Sequence, residues 1–139
     1  MEAMPNKRQM RKDAKKALKE ANRSKREASA YLKYARISPR KMQIVLDLIR
    51  GKQVGVAGAI LKHTPKSASE PLAKLLKSAI ANAAQNHQME DPELLYVAQC
   101  FATPGPVLKR MRPVSKGRGF RILKRTSHVT IVLKEREED

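Results

Sequence analysis

The chain has no tryptophan, one cysteine and, among 139 residues, three tyrosines and two phenylalanines; its 13 Asp and Glu are outnumbered by 30 Lys and Arg. Each scarcity excludes something. A lone Cys100 cannot close an internal disulfide, and its neighbours Val97, Ala98 and Phe101 mark it as a small core residue, not a reactive thiol. No apolar run reaches the roughly 18 residues a membrane-spanning helix needs, and a basic helix lying on a membrane would want the bulky aromatic anchors that are missing. No membrane partner is expected. Residues 1–29 lack the apolar stretch of a secretory signal, so a cytoplasmic protein is expected.

The residues of catalysis are equally thin. His63, His87 and His128 are scattered, without a second cysteine or a carboxylate pair at ligand spacing, so no metal is expected. Ser127 and His128 are adjacent in a strand-like stretch and would point to opposite faces, which denies them a nucleophile–base contact. Lys116-Gly117-Arg118-Gly119 lacks the ending of a Walker loop and the context of a dinucleotide fingerprint. Gly55-Val56-Ala57-Gly58 has the GxxG spacing of KH domains but no basic residue inside it. Neither an enzyme nor a cofactor is expected.

What is present is positive charge. A formal charge of +17 and an isoelectric point near 10.4 make the chain repel itself unless a polyanion neutralises it. Nucleic acid suits this role, because its phosphates are dense and binding releases condensed counterions. The length allows a single compact domain.

Along the chain, residues 1–29 carry ten basic and four acidic side chains and almost nothing large and apolar. They read as a basic arm, disordered when free, that either binds RNA or is merely solvated. Residues 30–37 alternate as a strand, with Tyr31, Leu32, Tyr34 and Ile37 apolar. Ser38-Pro39 is an N-cap followed by proline at the first helical position, and Met42, Val45, Leu46 and Ile49 form one helical stripe ended by Gly51. A second helix is expected over 54–63, with Ala57, Ile60 and Leu61 facing inward. For the third, Thr64-Pro65 and Ser69 with Pro71 are competing starts; the stripe Leu72, Leu75, Leu76, Ala79, Ile80 and Ala83 carries it to about His87. Strands are expected over 94–103 and 120–133.

The segment between those strands is the most informative. Residues 104–119 hold three prolines and three glycines, and no acidic residue from 104 to 133 offsets Lys109, Arg110, Arg112, Lys116, Arg118, Arg121, Lys124 and Arg125. If the flanking strands continue into it as a ribbon, each arm of about eight residues would project on the order of 25 Å. A two-stranded ribbon is hardly stable alone, so an external partner should hold it. Gly117, between Lys116 and Arg118, would let the backbone come close to phosphates. A group around the first helix, Arg36, Ser38, Arg40, Lys41, Arg50 and Lys52, is a second candidate contact region. A DNA-binding architectural protein is the alternative, although it would have no use for one long acid-free hairpin.

Several separate segments resemble one family. Ala35-Arg36-Ile37-Ser38-Pro39-Arg40-Lys41, Asp47-Leu48-Ile49-Arg50-Gly51-Lys52, Lys77-Ser78-Ala79-Ile80-Ala81-Asn82-Ala83, Gly105-Pro106, Lys109-Arg110, Lys116-Gly117-Arg118 and Ile122-Leu123-Lys124-Arg125-Thr126-Ser127-His128 stand in the order of the bacterial large-subunit ribosomal protein twenty-two family, across residues 35–133. The resemblance implies an α+β fold: three helices on a small three-stranded antiparallel sheet from which a long β-hairpin protrudes. It implies large-subunit rRNA, neighbouring ribosomal proteins and the nascent peptide as partners, with no obligate homo-oligomer. The hairpin would line the exit tunnel, with its tip over 107–116. The expected organisation is an arm over 1–29, one domain over 30–134 including a hairpin over 104–120, and an acidic tail over 135–139. Where many relatives carry a basic residue after the tip proline, this chain has Val114 after Pro113 and Arg112 before it.

Overall fold

The computed structural model describes residues 8, 10–13, 15, 27–89 and 91–136. Strand β1 (Glu27–Ala35) is followed by helices α1 (Pro39–Ile49), α2 (Val54–His63) and α3 (Ser69–His87), then by β2 (Leu95–Pro104), β3 (Leu108–Pro113), a tight turn (Ser115–Gly117), β4 (Gly119–Lys124) and β5 (Ser127–Glu135). Strands β1, β5 and β2 form an antiparallel sheet in that order, and β3 and β4 form a separate antiparallel pair. Three helices on a three-stranded sheet with a protruding hairpin is the expected α+β fold. Beyond it, Arg8, Met10, Arg11, Lys12, Asp13 and Lys15 are helical and exposed, which adds a helical stretch to the count. The rest of the basic arm up to residue 26, and residues 137–139 of the acidic tail, lie outside the described residues.

One face of the sheet is the core. Val129, Ile131 and Leu133 of β5, Leu95, Val97 and Cys100 of β2, and Ala28 and Ala30 of β1 meet Met42, Val45, Leu46 and Ile49 of α1 and Leu72, Leu75, Leu76, Ala79 and Ala83 of α3. Alanines on both α3 and β1 let the helix lie close to the strand, and Asn82 Nδ2 donates to the Ser29 carbonyl at 3.0 Å. In α2, Val54, Ala57 and Leu61 are buried while Ile60 is only partly so. Cys100 is buried, with Sγ 3.4 Å from the Leu46 carbonyl oxygen.

The ends of the elements show what the sequence pattern leaves open. The α1 stripe is as expected, and Gly51 follows it with φ +73°. Ser38 takes the N-cap position through its carbonyl, which accepts from the N–H groups of Lys41 and Met42 at 3.1 Å, while its side chain makes no cap bond. Of the two starts for α3, Ser69 is used, because Thr64 closes the helix before it: its hydroxyl and N–H both donate to the Ile60 carbonyl, at 2.6 and 3.0 Å. Gly55 and Gly58 lie inside α2, not in a loop between helices. Strand β1 begins at Glu27, before the expected boundary at residue 30, because small Ala28 and Ser29 enter the ladder opposite Leu133 and Val132 with little apolar signal of their own.

The single strand expected over 120–133 is two strands. The chain leaves the hairpin at Lys124 and enters the main sheet at Ser127, and the gap is held by a small knot at the root. There the Gly105 N–H donates to the Thr126 carbonyl at 2.9 Å and Thr126 Oγ1 donates to the Pro106 carbonyl at 2.6 Å. A Cβ on Gly105 would lie 2.6 Å from Thr126 Oγ1 and 3.2 Å from His128 Nε2. Gly58, in contrast, faces open space. In urea titrations Gly58→Ala should therefore gain about 0.5–1 kcal/mol of stability, the usual advantage of Ala over Gly inside a helix, whereas Gly105→Ala should lose stability. Burial pushes the Cys100 thiol up, with the nearby Arg50 charge only partly opposing it. In the folded chain it should resist alkylation at mildly alkaline pH and become reactive across the same urea transition that unfolds the domain.

Candidate nucleic-acid interface

The hairpin is built from six paired positions on each arm, Leu108 opposite Lys124 through Pro113 opposite Gly119. Six residues span about 20 Å, shorter than the eight-residue arms expected, because β2 and β5 stop at the root instead of running on into the ribbon. The ladder also reaches Lys124, past the expected limit at 120. Residues facing each other across an antiparallel pair share a face, and here the pairing sets one cation against one apolar side chain: Lys124 with Leu108, Lys109 with Leu123, Arg110 with Ile122, Arg121 with Met111 and Arg112 with Phe120. Like charges are thereby kept from direct opposition, which would destabilise the ladder.

The turn itself is Val114 to Arg118, closed by the Val114 N–H donating to the Arg118 carbonyl at 2.9 Å. Lys116 and Gly117 both adopt left-handed backbone, at φ +60° and +69°. Glycine does this freely, whereas for Lys116 the conformation costs roughly 1–2 kcal/mol. The tip thus falls on Ser115–Gly117 and not across the whole of 107–116, most of which is strand.

Lys109, Arg110, Arg112, Lys116, Arg118, Arg121, Lys124 and Arg125 are all exposed. Arg110 donates to the neighbouring Lys109 carbonyl at 2.9 Å, and among the described residues none of the eight pairs with a carboxylate.

At its root the hairpin meets the first helix. Lys124 and Arg125, leaving β4, face Arg36, Ser38 and Lys41 at the start of α1, and with Ile37, Ser67 and Leu123 they line a cleft of about 480 Å³. Among the described residues, four cations and two serines line it, without a carboxylate. The Ser38 side chain, unused as a cap, is available to an anion there. This joins two groups that lie more than 80 residues apart in the chain. Ser67, in the α2–α3 connection, enters the cleft with no signal in the sequence to announce it.

The other members of the first-helix group lie elsewhere. Arg40 is exposed on α1 outside the cleft lining. Arg50 and Lys52 stand at the opposite end of α1, about 16 Å away for an eleven-residue helix. Arg50 is engaged within the fold: one guanidinium nitrogen is 2.7 Å from Asp47 Oδ1 and another donates to the Cys100 carbonyl at 3.0 Å, tying α1 to β2. Lys52 is exposed, and its backbone pairs with Val97.

Ser127 and His128 do point to opposite sides of β5. Ser127 is buried, and His128 Nδ1 accepts the Tyr34 N–H at 3.0 Å.

The model of the family described as Ribosomal protein L22p/L17e matches residues 30–134. The large ribosomal subunit protein uL22 of Clostridium tetani is 58% identical over 111 residues, covering 80% of this chain and 99% of the relative. Proteins of the same name from Caldicellulosiruptor saccharolyticus and Acetivibrio thermocellus are 56% and 54% identical, covering 84% and 88% of this chain and 94% and 97% of the relatives. The chain belongs to the ribosomal protein L22p/L17e family, whose members are structural, non-enzymatic ribosomal constituents.

Proposed function

We propose that this chain is built into the large ribosomal subunit in the cytoplasm by binding large-subunit rRNA. The globular domain docks at the subunit surface beside neighbouring ribosomal proteins, and the hairpin is threaded through rRNA so that its tip borders the path of the nascent peptide. The observation that carries this reading is the exposed, carboxylate-free set of eight hairpin cations, continuous at the root with the Arg36, Ser38 and Lys41 side of the cleft. A polyanion wrapped around the ribbon would neutralise both faces at once, since each face carries cations. The apolar side chains interleaved with them, Met111, Phe120 and Leu123, gain cover in the same step.

Assembly with RNA also accounts for a ribbon that has no core of its own. Its ladder is ordered by what surrounds it, and the Gly105–Thr126 knot sets the direction in which it leaves the domain.

If about eight cations meet phosphates, the logarithm of affinity for rRNA should fall with the logarithm of salt at a slope of roughly −6. Replacing Lys109, Arg110 and Arg112 together by alanine should make that slope shallower by about 2; an unchanged slope would place the binding outside the hairpin. A photo-crosslinking side chain at Ser115 should capture nascent peptide in stalled ribosomes, while one at Lys74, on the exposed side of α3, should not. Equal capture from both positions would contradict a tunnel-facing tip.

A further inference from the structure

Each aromatic ring offers more apolar area than most side chains, so rings left outside a core are costly to expose and are favoured where a partner covers them. Here none of the five contributes to the core: Tyr31 is 67% exposed, Tyr34 62%, Phe101 44% and Phe120 66%, and Tyr96 is half-buried. Among the described residues the core is built from Leu, Ile, Val, Ala, Met and Cys100. Phe120 is on the hairpin, but the other four share the side of the main sheet turned away from the helices. Tyr31 and Phe101 both pair with Thr130, one from each flanking strand, which sets them about 10 Å apart. Tyr96 lies opposite Lys134 on the same face.

Tyr34 reaches this face through a distortion. The β1–β5 register shifts between Leu32 and Ala35, and Tyr34 takes φ +57° within the shift. For a tyrosine this backbone is strained, and strain of this kind persists only where the surroundings hold it. His128 does so, accepting the Tyr34 N–H at Nδ1 and meeting its ring edge-on at 4.8 Å. Between Tyr31, Tyr34, His128 and Thr130 lies a dimple of about 300 Å³, room for a single planar base, with Lys33 in its lining.

We infer that this sheet face is a second RNA contact, on which unpaired bases stack against Tyr31, Tyr34 and Phe101. It rests on the proposal that the chain binds rRNA, and it adds a base-stacking surface to the phosphate-binding hairpin and cleft. Charge favours RNA as the occupant. Lys33 is exposed at the dimple, and Glu27, which lies opposite Lys134 on this face, is held by the Lys134 ammonium at 2.7 Å. Two residues beyond Tyr34 the chain reaches Arg36, in the basic cleft, so a strand anchored there by its phosphates can lay its next bases over the rings.

The test uses the full chain and a short oligouridine, because stacking tolerates any base. With no tryptophan present, tyrosine emission reports directly on the rings. Binding should quench that emission. Tyr31→Leu, Tyr34→Leu and Phe101→Leu should each weaken affinity by about 5- to 150-fold, without changing the salt slope. Tyr31→Phe and Tyr34→Phe should retain wild-type affinity, which separates a lost ring from a lost fold. Leucine variants that bind as tightly as wild type, while the triple hairpin variant still loses slope, would overturn the stacking surface, leave the RNA-binding proposal standing and point to a protein neighbour on this face. Absence of any RNA binding by the wild-type chain would overturn both.

Discussion

Repulsion among like charges governs how this chain can be used. Seven cations sit on a ribbon two strands wide and its turn, with Arg125 at the root, and two charges about 10 Å apart in water repel by roughly 0.4 kcal/mol before screening. Each such term is small, but they add along a ribbon with no core against which to offset them. The cross-strand pairing of cation with apolar residue removes the closest repulsions, and the remaining ones fall when a polyanion replaces salt ions around the ribbon. The exposed apolar residues and the carboxylate-free cleft at the root follow from the same requirement. They suit a hairpin completed by its partner.

The domain supplies direction and a firm base. Its core is made of Leu, Ile, Val, Met, Ala and Cys100 from the three helices and one face of the sheet, and alanines on α3 and β1 bring helix and strand close. From this base two chain segments depart toward the hairpin, and the hydrogen bonds of Gly105 and Thr126 hold them together. The same root brings Lys124 and Arg125 to the start of α1. Packing, ribbon direction and charge clustering thus meet within a few residues.

Much of this was legible in the sequence where the signals are local. The Ser38-Pro39 start, the Met42, Val45, Leu46 and Ile49 stripe and Gly51 bound α1 because each acts within a turn or two. The acid-free run after Pro104 marked the cations of the ribbon. What stayed hidden depends on distant partners. The break at Arg125 and Thr126 exists because Thr126 bonds back to Pro106, and the start of α3 at Ser69 follows from Thr64 turning its hydroxyl toward Ile60. Likewise the cations around α1 do not form one group: its length sets Arg36 apart from Arg50 and Lys52, and Arg50 is drawn into the fold by Asp47 and Cys100. Ser67, by contrast, joins the cleft only through the folded arrangement of the helices. Tyr31 and Tyr34 read as ordinary strand residues, and only the register shift of β1 and the outward face of the sheet reveal them as surface rings.

Sucrose-gradient fractionation of cell lysate at high and low magnesium, probing for this chain, addresses the central claim most directly. Incorporation through rRNA requires the chain to co-migrate with the large subunit and to stay with it after the subunits separate at low magnesium. Recovery only in the soluble or DNA-bound fractions would contradict that account.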